Sequence, residues 1–210
     1  MKGSRPLTNA EITAATESFQ GRYATRNRAL FVLGINTGLR ISEMLSVRLA
    51  DALDPDGSVS SWLRVARRNM KNRFEGRTVR VNTTAREALA AWITEMTDHR
   101  NCTPETFLFQ SQARGNRAIS ISMAWLVLND VYRRLGFPGK LGTHAARKTY
   151  AATVKRLALA RRERGELDED VIRVVSRALG HRDIATTEAY LSFDDRLVMS
   201  INDEMARPEA

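Results

Sequence analysis

Six groups in this sequence have the types and spacing to meet on one phosphate. In THAARKTYAATV (143–154), His144 and Arg147 lie three positions apart, on one face at the start of a helix. A guanidinium can grip two phosphate oxygens at once, and the positive end of the helix dipole adds to the pull. Arg40 follows TGL, at the corner where one helix stops at Gly38 and the next begins, and Glu43 one turn on is placed to hold it. Lys71 sits in RRNMKNRFEG (67–76), from which a lysine can give a proton to a leaving oxygen. LGHRDIATTEAYL (179–191) ends the set with His181 and Tyr190. A tyrosine hydroxyl, with an ordinary pKa of ~10, attacks phosphorus only where cations favour the developing charge. Two arginines, two histidines and a lysine are what that reaction requires, and none of them demands a metal.

Each group also has a plainer reading. His144 and Arg147 alone are equally a semi-buried histidine beside a surface arginine. Arg40 and Glu43 alone are an exposed i,i+3 ion pair worth under ~1 kcal/mol. Lys71 could be one phosphate-contacting base among several, and Tyr190 an amphipathic packing residue.

The elements that must position these groups are legible from period and punctuation. Thr8 with Glu11 is a capping box opening a helix in LTNAEITAATESFQ (7–20). TRNRALFVLGINTGL (25–39) reads as a largely buried helix ended by Gly38, and ISEMLSVRL (41–49) as a short helix after it. Pro55, Asp56 and Gly57 make a turn. SVSSWLRVA (58–66) and RTVRVN (77–82) then alternate like two strands of a hairpin around the basic loop 67–76. Residues 83–98 return to a helical period with a threonine cap, and TFLF (106–109) reads as a short strand or extended segment. Helices follow at about 119–135, 143–163 and 169–179, and a helix-like tail at 196–210 carries Leu197, Val198, Met199 and Ile201. The expected fold is mainly α with a small antiparallel β-hairpin or sheet, in one domain.

Composition is that of a globular protein, 43% hydrophobic and 27% charged, and the net charge of +9 favours a polyanionic partner. The charge is blocked rather than mixed. No acidic residue stands between Asp130 and Glu163, a stretch holding Arg133, Arg134, Lys140, Arg147, Lys148, Lys155, Arg156, Arg161 and Arg162. Residues 61–80 set Arg64, Arg67, Arg68, Lys71, Arg73, Arg77 and Arg80 against Glu75 alone. One-sign blocks are the electrostatic footprint of nucleic-acid binding. The single cysteine, Cys102, excludes an intramolecular disulfide and fits a reducing cytoplasm. No apolar run reaches a membrane-spanning ~18 residues, and MKGSRPLTNAEI, which has no apolar core, is not expected to act as a signal peptide.

Taken in order, TGLRISEMLSVRLAD, a lysine on a hairpin, THAARKTYAATV and LGHRDIATTEAYL resemble the boxes of the tyrosine recombinases, the integrase family of site-specific DNA recombinases. The likeness runs from about Leu7 to Phe193. The resemblance implies a DNA strand transferase that cleaves and rejoins DNA through a 3′-phosphotyrosyl intermediate, in integration, excision or inversion, with neither ATP, metal nor other cofactor. It implies that Arg40 and Arg147 clamp the scissile phosphate, and that His144 contacts a non-bridging oxygen or manages the nucleophile's proton. His181 would bond the phosphate, Tyr190 attack and Lys71 protonate the leaving 5′ oxygen, with Glu43 in support. Arg67, Arg68, Arg73, Arg77, Lys140 and Lys148 are the expected DNA contacts. The implied partner is double-stranded DNA, bound by a tetramer on paired sites in the cytoplasm of a prokaryotic or phage-infected cell. The expected boundaries are a catalytic domain at 1–195 and a tail at 196–210 docking on a neighbouring protomer, with no N-terminal core-binding domain. The hairpin departs from the GKG that the family commonly carries there. Two alternatives keep the fold and change the function: a non-catalytic DNA-binding regulator, and a type IB topoisomerase-like relaxing activity.

Overall fold

A computed structural model of the chain describes residues 4–66, 76–99, 101–112, 115–181 and 185–187. The chain divides into two compact units, Met1–Tyr150 and Ala151–Ala210. The described elements are mostly helical with one two-stranded sheet, as the sequence pattern implies.

In the first unit, α1 (Asn9–Glu17) starts on the expected capping box. Thr8 Oγ1 accepts from the Glu11 N–H at 3.2 Å, and the Glu11 carboxylate accepts from the Thr8 N–H at 2.8 Å. Arg5 grips the same carboxylate with both terminal nitrogens, at 2.8 and 2.5 Å, and donates to the Pro138 carbonyl. Leu7 N–H donates to Thr149 Oγ1 at 2.9 Å. The segment before α1 is thereby tied to α7 (Thr143–Glu163) and to the loop that precedes it.

Helix α2 (Ala24–Thr37) is the spine of the core, with Ala29, Leu30, Phe31, Val32 and Leu33 all buried. It packs on α5 (Thr83–His99), which turns Ala85, Leu89, Trp92, Ile93 and Met96 inward. Asn82, not Thr83 or Thr84, caps α5: its side-chain oxygen accepts from Ala85 N–H at 3.0 Å. Aromatic contacts run from Phe19 through Phe31 and Tyr132 to Phe137, with centroids 5.7, 6.5 and 6.1 Å apart. These tie α2 to α6 (Ile121–Arg134), which is capped by the Ser120 hydroxyl.

The expected helix at 41–49 is instead two short ones, α3 (Ile41–Leu45) and α4 (Leu49–Ala52). The break has a tertiary cause. Arg48 forms an isolated bridge with Phe107, and Leu108 N–H donates to the Val47 carbonyl at 2.8 Å. Backbone groups spent on that pairing cannot continue a helix. The segment 106–109, expected as a short strand or extended, is instead a bend at Thr106, a single bridge residue at Phe107 and a turn at Leu108 and Phe109, anchored by the Trp92 indole donating to the Leu108 carbonyl at 2.7 Å.

Strands β1 (Trp62–Val65) and β2 (Arg77–Arg80) pair antiparallel, with Trp62 opposite Arg80 and Val65 opposite Arg77. Leu63 and Val65 face the core, while Trp62 and Arg64 face outward.

The second unit begins within α7 and contains α8 (Val171–Leu179). Asp170 caps α8 by accepting from the N–H groups of Ile172 and Arg173. Gly180 closes it in the left-handed conformation at φ 65°, and His181 N–H returns to the Ser176 carbonyl at 2.9 Å.

Candidate active site

The site grows from one glycine. Gly38 ends α2 at φ 62°, ψ 18°, a conformation that disfavours any side chain. A Cβ here would also stand 2.3 Å from Cδ1 of Tyr150, because that ring lies against the turn. The Gly38 carbonyl accepts a hydrogen bond from Arg147 Nη1, so one backbone group joins the α2–α3 corner to α7. Gly34, one turn earlier in α2, permits the close approach: a Cβ there would lie 3.2 Å from that of Ala146.

Two residues past the glycine, Arg40 is the N-cap of α3 and its side chain is 43% exposed. Glu43 is almost fully buried and accepts three times. Its Oε2 takes the Arg40 backbone N–H at 2.8 Å and Arg77 Nη2 at 3.2 Å, and its Oε1 takes Arg40 Nη1 at 3.2 Å. A carboxylate satisfied in this way is tolerated in the interior and fixes the groups that bond it. Arg147 is itself buried on α7, with His144 one turn earlier on the same face and exposed at the helix start.

Electrostatics place these groups in one neighbourhood. The pKa of His144 is held below its ordinary 6.5, first by desolvation and then by Arg147, Arg40 and Lys148. The shift favours the neutral imidazole, which can accept a proton or donate one hydrogen bond. Burial raises the pKa of Tyr150, opposed by Arg77 and Arg147. Two guanidiniums and an imidazole converge here, a set suited to the non-bridging oxygens of a phosphodiester. Beside them a cleft of about 500 Å³ is lined by Trp125, Tyr132, Arg133, Phe137, Lys140 and His144 among others. Lys140, an expected DNA contact, is exposed on it, and Lys148 is half-buried on α7.

The structure thus brings Arg40, Glu43, His144 and Arg147 together, with Lys148 close to His144. Arg77, expected as a DNA contact, has only 12% of its side chain exposed and bonds Glu43. His181 belongs to the second unit, where its Nδ1 is 2.8 Å from the hydroxyl of the fully buried Thr187. That contact restrains the ring's orientation. Lys71, Tyr190, Arg67, Arg68, Arg73 and the tail at 196–210 lie outside the described residues. Sequence reasoning missed Tyr150 and the bond of Arg77 to Glu43. Tyr150, three residues after Arg147 and so on its helix face, fills the space at Gly38; Arg77 reaches Glu43 from 34 positions away.

Fold and cluster together define a tyrosine recombinase domain. The phage integrase family matches residues 7–196, and the chain belongs to it. It is 31% identical over 194 residues to tyrosine recombinase XerC 1 of Ralstonia nicotianae, a match covering 89% of this chain and 55% of that protein. Tyrosine recombinase XerD of Mycobacterium leprae is 30% identical over 199 residues, covering 89% of this chain and 56% of its own. The chain therefore spans little more than half the length of these relatives. Among solved structures, XerA recombinase shares the fold with a TM-score of 0.70 at 21% identity, covering 100% of this chain and 66% of that one. The XerH site-specific recombinase bound to its difH substrate gives 0.65 at 22% identity, covering 95% and 53%. Among the described residues, no helix is long and apolar enough to cross a membrane.

Proposed function

We propose that the chain carries the catalytic part of a site-specific DNA recombinase, cleaving and rejoining double-stranded DNA without a cofactor. The observation that carries the proposal is the Gly38 turn, whose carbonyl accepts from Arg147 two residues before Arg40 leaves the same corner.

Chemically, the Tyr190 oxygen attacks phosphorus in line with the bond to the 5′ oxygen. A phosphotyrosyl bond to the 3′ strand forms as that bond breaks, and the 5′ oxygen leaves after taking a proton from Lys71. Arg40 and Arg147 offset the charge on the non-bridging oxygens as the phosphorane develops. Neutral His144 accepts the tyrosine proton or donates to an oxygen. His181 adds a donor to the same phosphate. Rejoining is the reverse, with a new 5′ hydroxyl as nucleophile, and the covalent link conserves the energy of the broken bond. XerH was solved bound to its difH substrate and the Tn1549 transposon integrase in complex with a circular intermediate DNA; both are similar in fold, which supports a DNA partner. Four copies on paired sites, the 196–210 tail of each docking on its neighbour, complete the proposed assembly.

Strand exchange tests the proposal. A plasmid carrying two copies of DNA flanking the gene should delete or invert the intervening segment with wild-type protein and not with Arg147→Ala. Binding without any exchange, on DNA that includes the true site, would favour the non-catalytic regulator instead.

A further inference from the structure

We infer that Arg77 is a positioning residue for Arg40, acting through the carboxylate they share; the inference rests on the recombinase reading above. Glu43 is buried between two guanidiniums of unequal exposure. Arg77 is the inner partner, with 12% of its side chain exposed, and Arg40 the outer one at 43%. The carboxylate is divided between them. Oε1 takes Arg40 Nη1, while Oε2 is occupied by Arg77 Nη2 and by the Arg40 backbone N–H.

That division has a chemical consequence. An arginine facing a free carboxylate closes on it bidentately through two parallel N–H···O bonds. Here Oε2 is already engaged, so Arg40 bonds Glu43 through one nitrogen and the rest of its fork is free to turn outward. Two guanidiniums thus share one carboxylate, and Glu43 does not take the whole charge of Arg40. Without Arg77, Glu43 would face Arg40 alone and the fork would close inward. Arg77 opens β2 opposite Val65, which places its backbone in the sheet. A buried ion pair is weak evidence for stability alone. A share of charge delivered to the substrate is a distinct role with a distinct signature.

The test uses the whole chain and nicked duplexes from DNA flanking the gene, with either an ordinary phosphate or an uncharged methylphosphonate at the scissile position. A methylphosphonate lacks one negative charge and needs less cationic help. On the phosphate, Arg77→Gln should form covalent complex about tenfold or more slowly than wild type, and Arg77→Lys should stay close to wild type. On the methylphosphonate the Arg77→Gln deficit should shrink to about twofold. The double variant Glu43→Gln/Arg77→Gln, which removes both buried charges, should recover part of the phosphate rate and guards against a single variant that fails to fold. An equal deficit on both substrates, or none on either, would overturn the inference. Absence of covalent complex with wild type on the phosphate would instead overturn the recombinase reading, and the inference with it.

Discussion

Replacing Gly38 by alanine perturbs the site at its narrowest point. Two separable costs follow. The backbone sits at φ 62°, where a residue with a Cβ loses about 1–2 kcal/mol. The new Cβ would lie 2.3 Å from Cδ1 and 2.9 Å from Cε1 of Tyr150, so the ring or the turn must shift. Overpacking of that kind costs typically about 1–3 kcal/mol. Gly38→Ala should therefore lower unfolding free energy by about 2–5 kcal/mol, read as a lower urea midpoint with an unchanged slope. The same shift moves the carbonyl that receives Arg147, so covalent-complex formation should fall further than the loss of folded protein explains. A double-mutant cycle separates the two costs. In a Tyr150→Ala background the ring is gone, and Gly38→Ala should cost only the backbone share of about 1–2 kcal/mol. An equal cost in both backgrounds would show that the ring does not occupy the space. A stabilising Gly38→Ala would refute the left-handed turn itself, because alanine then gains by stiffening the unfolded chain.

Other perturbations have directions set by the structure. The His144 pKa is lowered on folding, so the unfolded chain binds more protons below pH 6.5; stability is full above 6.5 and falls as pH drops below it. His144→Asn should flatten that part of a stability-versus-pH curve. The Glu11 carboxyl is lowered from 4.5 to about 2, chiefly by the hydrogen bond from Arg5. Its contribution is present above 4.5 and is lost as pH falls toward 2, and Glu11→Gln should remove that slope in acid unfolding followed by circular dichroism. Phe31, fully buried between Phe19 and Tyr132, should lose about 3–5 kcal/mol on replacement by alanine in a denaturant titration.

Local signals carried most of the fold to the surface of the sequence. The Thr8–Glu11 box, the stop at Gly38 and the strand alternation around 62–65 and 77–80 are each decided by neighbours in the chain. The α3–α4 break was not legible, because Arg48 and Val47 spend their backbone groups on 107 and 108, which no local period announces. The cap on α5 went to Asn82 rather than a threonine for a related reason: Asn82 also donates to the Asn36 side chain of α2 at 2.7 Å, and the tertiary contact fixes its place. In the site, the i,i+3 pairs Arg40–Glu43 and His144–Arg147 were readable as helix faces. What joins them is not. The Gly38 carbonyl meets Arg147 across 109 positions, and Arg77 reaches Glu43 across 34. Arg77 has the composition of a DNA contact and the environment of an interior ion pair, a difference only burial can reveal.

The most direct test of the recombinase reading is to trap the covalent intermediate. A nicked duplex that releases a short fragment on cleavage cannot be religated, so phosphotyrosyl protein accumulates and shifts on a denaturing gel. With substrates drawn from the DNA flanking the gene, wild-type protein should give a covalent band whose linked peptide contains Tyr190. Tyr190→Phe should bind the same DNA and give none. A covalent band that persists in Tyr190→Phe would refute the assigned nucleophile. Binding with no covalent band from wild type, on substrates that include the true site, would contradict strand cleavage by this chain.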